Sequence, residues 1–246
     1  MAVSTSADQL TIDIRLHFDC AEVTALKSAF EFANEGRSDL PGEVLNMPGM
    51  SGQRYRSLIN RLVKTTHDAA YLEVGSWKGS TACAAMTGNA ARVMCIDNWS
   101  LFGGPRDEFF ANIERWRTPE VRFDFIETDF RDVDYAAHGQ FNIYFFDGPH
   151  SLLETYEGIV GAQDALTKVH TLIIDDWNWP QVRHGTYRAL EDLEIEILAR
   201  LVIHTTADGT HPPVAREKSD WHNGYFIAVC RKAEPCATGP SRQARE

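Results

Sequence analysis

The stretch YLEVGSWKGST, residues 71–81, decides the fold because its character changes halfway. Residues 71–74 are apolar enough for a short buried strand, and residues 79–86 run from Gly-Ser-Thr into alanines, which predicts the start of a helix. Gly75 and Gly79 allow the backbone to approach a ligand closely, and the helix that follows would present unpaired N–H groups. The pattern predicts a strand, turn and helix that together cradle a cofactor.

The spacing of the two glycines is informative. A dinucleotide-binding turn reads G-x-G-x-x-G, whereas this one reads G-x-x-x-G, which disfavours NAD and FAD. Glu73, at the carboxyl end of the strand, is expected to face a cavity whose ligand carries donors or positive charge. The sequence E-x-G-x-x-x-G-S resembles the first motif of class I S-adenosylmethionine (SAM) methyltransferases, especially the catechol-type and macrolide-sugar O-methyltransferases. The resemblance implies a turn that faces the methionine part of SAM, with contacts from Glu73, Gly75, Ser76, Gly79, Ser80 and Thr81.

Composition limits the classes of partner. The net charge of −11 over 246 residues disfavours a nucleic-acid partner, which needs a basic surface. The five cysteines show neither a CxxC pair nor zinc spacing, which is typical of a reducing compartment. No long apolar run indicates a membrane span, so a soluble, cytoplasmic protein is expected. A homo-oligomer is left open.

Strands and helices alternate along the chain. Strands are predicted at residues 71–74, 92–96, 123–126, 141–146 and 171–174, helices at 53–65, 106–116, 152–166 and 182–201, and a closing hairpin at 201–205 and 224–230. This order predicts an α/β fold: a doubly wound, Rossmann-like sheet, mostly parallel with an antiparallel terminal hairpin, as in class I methyltransferases. Residues 1–66, with helices over 13–34, would form an N-terminal helical extension, residues 67–232 the SAM-binding core, and residues 233–246 a disordered tail.

Acidic residues follow several of these strands. Asp97 lies 22 residues after Gly75, close to the spacing at which α/β nucleotide sites place a carboxylate on a ribose diol; a turn cap is the alternative. The resemblance implies that Asp129 contacts the adenine amine, again with a turn cap as the alternative. Trp99 lines the SAM pocket in one interpretation and packs within its loop in the other.

Three further aspartates, Asp147, Asp175 and Asp176, end the fourth and fifth strands. Carboxylates crowded at one sheet edge repel each other unless a cation joins them, and Mg²⁺ prefers oxygen ligands. The same positions resemble the metal ligands of catechol-type and TylF-like O-methyltransferases, although Asp176 stands where the catechol enzymes have Asn. The run D-G-P-H-S, residues 147–151, resembles a signature of cephalosporin-hydroxylase-like proteins. In the plainer interpretation the Asp175–Asp176 pair simply caps the next helix.

These features predict Mg²⁺-dependent O-methylation of a small hydroxylated molecule, such as a phenol or a sugar, with SAM as the methyl donor. Asp147 would contact both cofactor and metal, and His150 would take the proton unless it merely orients Asp147. His184 is a second candidate base, with an exposed helix histidine as the alternative. Trp177 and Trp179 form an aromatic wall in one interpretation and pack within a lid in the other. A metal-independent methyltransferase that uses His150 alone, and a SAM-binding module without catalysis, are the alternatives.

Overall fold

The computed structural model describes residues 10–233, so the predictions about the first residues and the tail lie outside its described part. Eight strands are present: β1 (Thr11–Leu16), β2 (Ala70–Val74), β3 (Ala91–Ile96), β4 (Val121–Ile126), β5 (Phe141–Phe146), β6 (Leu166–Ile174), β7 (Glu196–His204) and β8 (Tyr225–Arg231). The helices are α1 (Ala21–Asn34), α2 (Gly42–Leu45), α3 (Gln53–Thr65), α4 (Ser80–Met86), α5 (Arg106–Trp116), α6 (Leu152–Gly161) and α7 (Pro180–Asp192).

All eight strands form one sheet in the order β1-β7-β8-β6-β5-β2-β3-β4. Strands β2 to β6 pair in parallel, whereas β8 pairs antiparallel with both β6 and β7, and β1 pairs antiparallel with β7. The predicted fold class, a mostly parallel doubly wound sheet with an antiparallel hairpin, is confirmed. The carboxyl ends of the five parallel strands therefore meet at one edge of the sheet.

Helices cover both faces because successive strand side chains point to opposite sides. Tyr71 belongs to the core that also contains residues of α1, α3, α4 and α5. Its neighbour Leu72 belongs to the second core, formed with α6 and α7. Because α1 and α3 share the first core with the central strands, the predicted N-terminal extension is packed on the sheet.

The helix predicted over residues 13–34 is only partly right. Residues 11–16 form β1 at the edge of the sheet, and α1 begins at residue 21. The apolar residues Ile12, Ile14 and Leu16 alternate with polar ones, which is the period of a strand and not of a helix.

The helix predicted over residues 182–201 is also shorter than expected. Helix α7 ends at residue 192, and Glu194 turns the chain with φ = 52° before β7 begins at residue 196. Leu193, Ile197 and Leu201 fall four residues apart and so imitate a helical stripe. Residues 198–203 instead belong to a strand that is buried on both faces, except at the half-buried Arg200. Within the described residues, no helix combines the length and the hydropathy that crossing a bilayer requires.

Candidate active site

One cavity of about 450 Å³ opens at the carboxyl edge of the parallel strands. It extends from the turn after β2 to the ends of β5 and β6 and the loop before β8. Its lining includes Met50, Gly75, Trp77, Asp97, Trp99, Asp129, Asp147, His150, Asp175, Asp176, Trp179, His211, Arg216 and His222. The structure thus brings most of the predicted site residues to one surface.

The two glycines of the turn are required by the protein's own packing. Gly75 has φ = 84°, and a Cβ there would lie 2.0 Å from the carbonyl oxygen of Asp147. Gly79 has φ = 79°, and its Cβ would lie 2.9 Å from the Phe109 ring. Any side chain at residue 75 would therefore strain the junction of β2 and β5, whatever it did to a ligand.

Asp97 holds the turn in place. Its Oδ2 accepts hydrogen bonds from the backbone N–H groups of Ser76 and Trp77, both at 2.9 Å, and its Oδ1 accepts one from Trp99 N–H at 2.8 Å. The carboxylate is thus a turn cap, as the alternative interpretation expected. It also lines the cavity, and contact with a ribose remains a prediction.

Glu73 was expected to face the cavity. Its side chain is instead fully buried beneath the turn, outside the cavity lining. The Tyr71 hydroxyl donates to its Oε2 at 2.5 Å. Burial raises the pKa of Glu73 to about 7, although the Tyr71 hydrogen bond acts in the opposite direction. Ser76, Ser80 and Thr81 are also buried and lie outside the cavity lining. Contacts of these four residues with SAM stay predictions.

Asp129, predicted to contact the adenine amine, and Trp99, predicted to line the SAM pocket or to pack within its loop, both line the cavity and both stabilise local structure. Asp129 Oδ1 accepts from Arg131 N–H at 3.0 Å and caps the short turn that follows β4. Trp99 stacks on Phe125 with ring centroids 5.3 Å apart. Each residue is therefore held in a fixed position beside the cavity.

The opposite end of the cavity is strongly acidic. Asp175 and Asp176 are buried, and Asp147 is nearly so. Burial raises the pKa of Asp147 well above its ordinary value, and the charge of Asp176 raises it further. Burial, then the charges of Asp147 and Asp176, raise the pKa of Asp175 in the same way. These carboxylates destabilise one another's charged forms, as expected of a site that needs a cation.

His150 lies between two of these carboxylates. Its Nε2 is 3.5 Å from Asp147 Oδ1 and 3.3 Å from Asp176 Oδ2, and its ring meets the edge of Trp179. The candidate base therefore lies in the cavity. His184 is exposed on α7 outside the lining, and Trp177 is buried against Phe226.

His222 was missed by the sequence reasoning. With Asp175 and Asp176 it forms a group whose potential ligand atoms all lie within 4.8 Å of one another. The signal was available: β8 was expected to run antiparallel, so the residues just before it must reach the carboxyl edge where β6 ends. Ile174 of β6 indeed pairs with Phe226 of β8.

The hydrogen bonds of His222 indicate how it acts. Its Nδ1 accepts from the backbone N–H of Arg216 at 2.9 Å, so in the neutral ring Nε2 carries the proton. Nε2 lies 3.9 Å from Asp176 Oδ1, and burial lowers the pKa of His222 to about 4. An Nε2 that carries a proton is a donor and not a metal ligand. The residues that fit a hard cation are therefore the three carboxylates, in line with the orphaned buried Oδ1 of Asp175.

Comparisons with known proteins show the fold. No family model and no curated protein matches the sequence. An SAH-bound methyltransferase from Podospora anserina is 13% identical over 85% of this chain and 88% of its own, with a TM-score of 0.54. A candidate RNA methyltransferase from Pyrococcus horikoshii is 12% identical over 88% of this chain and all of its own, with a TM-score of 0.51. TrmN from Thermus thermophilus is 15% identical over 73% of this chain, at a TM-score of 0.47, and this chain spans 48% of its length. The chain has the Rossmann-like methyltransferase fold.

Proposed function

We propose that this protein is a SAM-dependent methyltransferase that methylates a hydroxyl group of a small molecule held by a divalent cation, Mg²⁺. The observation that carries the proposal is the continuous cavity, which joins the glycine turn at one end to three crowded carboxylates at the other. A methyl transfer between two bound molecules needs such a pair of adjoining sites.

The end nearer β2 suits the methyl donor. Gly75, Asp97, Trp99 and Asp129 offer a close backbone, a carboxylate, an aromatic face and a second acidic group around one space. In this assignment Asp97 reaches the ribose, and Asp129 the adenine amine. SAM supplies an electrophilic methyl group on a sulfonium, whose positive charge suits an acidic surface.

The end nearer β6 suits the acceptor. Asp147, Asp175 and Asp176 would hold the cation, and a cation at that position would lower the pKa of an acceptor hydroxyl that it bound. His222, next to Asp176, and Arg216 also line the cavity and would contact the body of the acceptor. Trp179 offers one aromatic face for a planar acceptor.

The proton must leave as the new bond forms. An acceptor oxygen bonds to the methyl carbon while the carbon–sulfur bond breaks, sulfur departs as the neutral thioether of S-adenosylhomocysteine, and the hydroxyl proton goes to a base. His150 lies within 3.5 Å of two carboxylates that would stabilise it once protonated, so we assign it that role. The protein's other contribution is alignment of the two molecules.

The position of His150 also favours a second candidate. Without a metal, His150 alone would take the acceptor proton, and the nearby Asp147 and Asp176 would stabilise the positive charge that forms on its ring.

Two measurements test the proposal. Calorimetry should detect SAM binding to the whole chain. An assay for S-adenosylhomocysteine over a panel of catechols, sugars and an RNA should show turnover with a hydroxylated small molecule. Activity that stops in excess EDTA and returns with Mg²⁺ would support the metal. Full activity in EDTA would favour His150 alone, turnover only with RNA would overturn the small-molecule assignment, and failure to bind SAM would overturn the whole proposal.

A further inference from the structure

The outer edge of β1 is an exposed strand edge. Over residues 10–233, β1 pairs only with β7 and no strand lies on its other side. On one face of the strand, Leu10, Ile14 and Leu16 are apolar and 47%, 38% and 44% exposed. Neither a proline nor a bulge interrupts residues 11–16. Such an edge is a ready template for another strand.

The ladder between β1 and β7 determines which backbone groups face outward. His17 N–H donates to Leu198 O at 2.9 Å, so in this antiparallel register the odd-numbered residues of β1 make the hydrogen bonds to β7. The N–H and C=O groups of the even-numbered residues, Ile14 among them, therefore point away from the sheet. A second strand would have to pair with these even-numbered residues.

Charge then selects one register. Asp13 and Arg15 lie on the other face of β1, on either side of Ile14. In an antiparallel pair with a second copy, a two-fold axis through Asp13 or Arg15 would place like charges opposite each other. An axis through Ile14 instead places Asp13 opposite the second copy's Arg15, and the reverse. It also places Ile12 opposite Leu16.

The charges within one chain favour the same arrangement. Arg15 lies directly opposite Arg200 of β7. Both arginines share one carboxylate, since Asp13 Oδ2 is 3.2 Å from Arg15 Nε and 3.5 Å from Arg200 Nη2. A second chain would bring a second carboxylate to the outer side of Arg15. We propose that β1 pairs antiparallel with β1 of a second copy of this chain about a two-fold axis at Ile14, joining two sheets into one.

The first test reverses one charge. Arg15→Glu gives residue 15 a favourable partner within its own chain, Arg200, but places it opposite Asp13 of the second copy. Sedimentation velocity should show a dimer for the native chain and a dimer dissociation constant about tenfold higher for this variant. The double variant Asp13→Arg with Arg15→Glu restores unlike pairs and should recover the dimer, with circular dichroism as the control for folding. A monomeric native chain, an Arg15→Glu variant that dimerises as well as the native chain, or a swap that fails to recover would overturn the proposal.

The second test locates the axis. In a background with Cys20 and Cys236 replaced by serine, Ile14→Cys would lie opposite itself at a Cα separation of about 5.5 Å, within disulfide range. Leu16→Cys is the matched control on the same face, because two copies of residue 16 would lie about 13 Å apart. Mild oxidation should cross-link the first variant and not the second. Cross-linking of both to the same extent, or of neither, would overturn the register.

Discussion

Carboxylates at the two ends of the cavity differ in what stabilises their charge. At the glycine turn, Asp97 accepts hydrogen bonds from three backbone N–H groups, so its carboxylate is stabilised by the protein itself. At the ends of β5 and β6, burial raises the pKa of both Asp147 and Asp175, and the charge of Asp176 raises both pKa values further. Acidic residues at neighbouring strand ends are therefore not equivalent: Asp97 shapes a loop, whereas the others form a site in which carboxylates disfavour one another's charged forms.

The largest effect on activity is expected at the end of the cavity formed by Asp147, Asp175 and Asp176. Asp175→Asn removes a charge from the proposed metal site and should reduce turnover about 10³-fold, because a cation at such a site contributes several kcal/mol to charge stabilisation. The dissociation constant of SAM should stay nearly unchanged. S-adenosylhomocysteine formation and calorimetry measure the two quantities.

Asp129→Asn is the matched control for that experiment, since it changes an aspartate at the other end of the same cavity. It should weaken SAM binding and leave the Mg²⁺ dependence unaltered. If Asp175→Asn weakened SAM binding as much as it slowed turnover, residue 175 would not belong to the acceptor end.

At the glycine turn, a substitution should lower the free energy of unfolding. Asp97→Ala leaves the N–H groups of Ser76, Trp77 and Trp99 without their acceptor, and we expect unfolding to become easier by about 4 kcal/mol, since Asp97 is half-buried. Urea titration of the purified chain measures this change. Asp97→Asn should cost less, because its remaining oxygen can still accept from Ser76 and Trp77. An Ala variant as stable as the native chain would contradict the capping role.

Glu73, beneath the turn, gives a pH-dependent difference. Its pKa rises from 4.5 to about 7 on folding, so its contribution to stability is fully present below pH 4.5 and is lost as the pH rises through 7. Glu73→Gln cannot ionise and still accepts from Tyr71. It should match the native chain near pH 4.5 and be about 3 kcal/mol more stable at about pH 8.

Urea titrations across that pH range test the Glu73 prediction. Glu114→Gln is the control, because the Glu114 side chain is 71% exposed and should show no such trend. A constant difference between Glu73→Gln and the native chain at all pH values would mean that Glu73 does not ionise in this range.

Much of the sheet was predictable because its central strands are nearly continuous runs of apolar residues. Strand β5 was predicted at its exact bounds, since every residue but Asn142 is apolar and parallel strands are covered on both faces. The two places where a helix was predicted and a strand is present both concern antiparallel strands near one edge of the sheet. There the exposed Ile14 and the half-buried Ile197 have partners far away in sequence, which a local period cannot identify. Elsewhere the errors are in bounds: α6 ends at residue 161 and β6 begins at residue 166.

The site was predictable in its location more than in its contacts. The strand-end rule placed Asp97, Asp147 and Asp175 at one edge, and all three line the cavity. It could not distinguish a carboxylate already bonded to backbone N–H groups from one that is not. Nor could it place Glu73, whose side chain is buried on the face of β2 opposite Val74, the face that α3 and α4 cover.

The smallest effect should come from Asp176, which tests whether the acidic end needs oxygen atoms or charge. Asp176 has φ = 54°, a conformation that Asn tolerates well, and its Oδ1 accepts from Asn223 Nδ2 at 2.9 Å. Asp176→Asn keeps that oxygen and that turn but loses one charge. We expect the Mg²⁺ concentration for half-maximal activity to rise about tenfold while the maximal rate changes little. Asp176→Ala also removes the oxygen and should raise that concentration further.

Thermal unfolding with and without Mg²⁺ gives a readout apart from activity, because a bound cation stabilises the native chain. If Asp176→Asn were as inactive as Asp175→Asn, the requirement at residue 176 would be the charge and not the ligand oxygen. If Asp176→Asn and Asp176→Ala both kept the native Mg²⁺ response, Asp176 would lie outside the metal site.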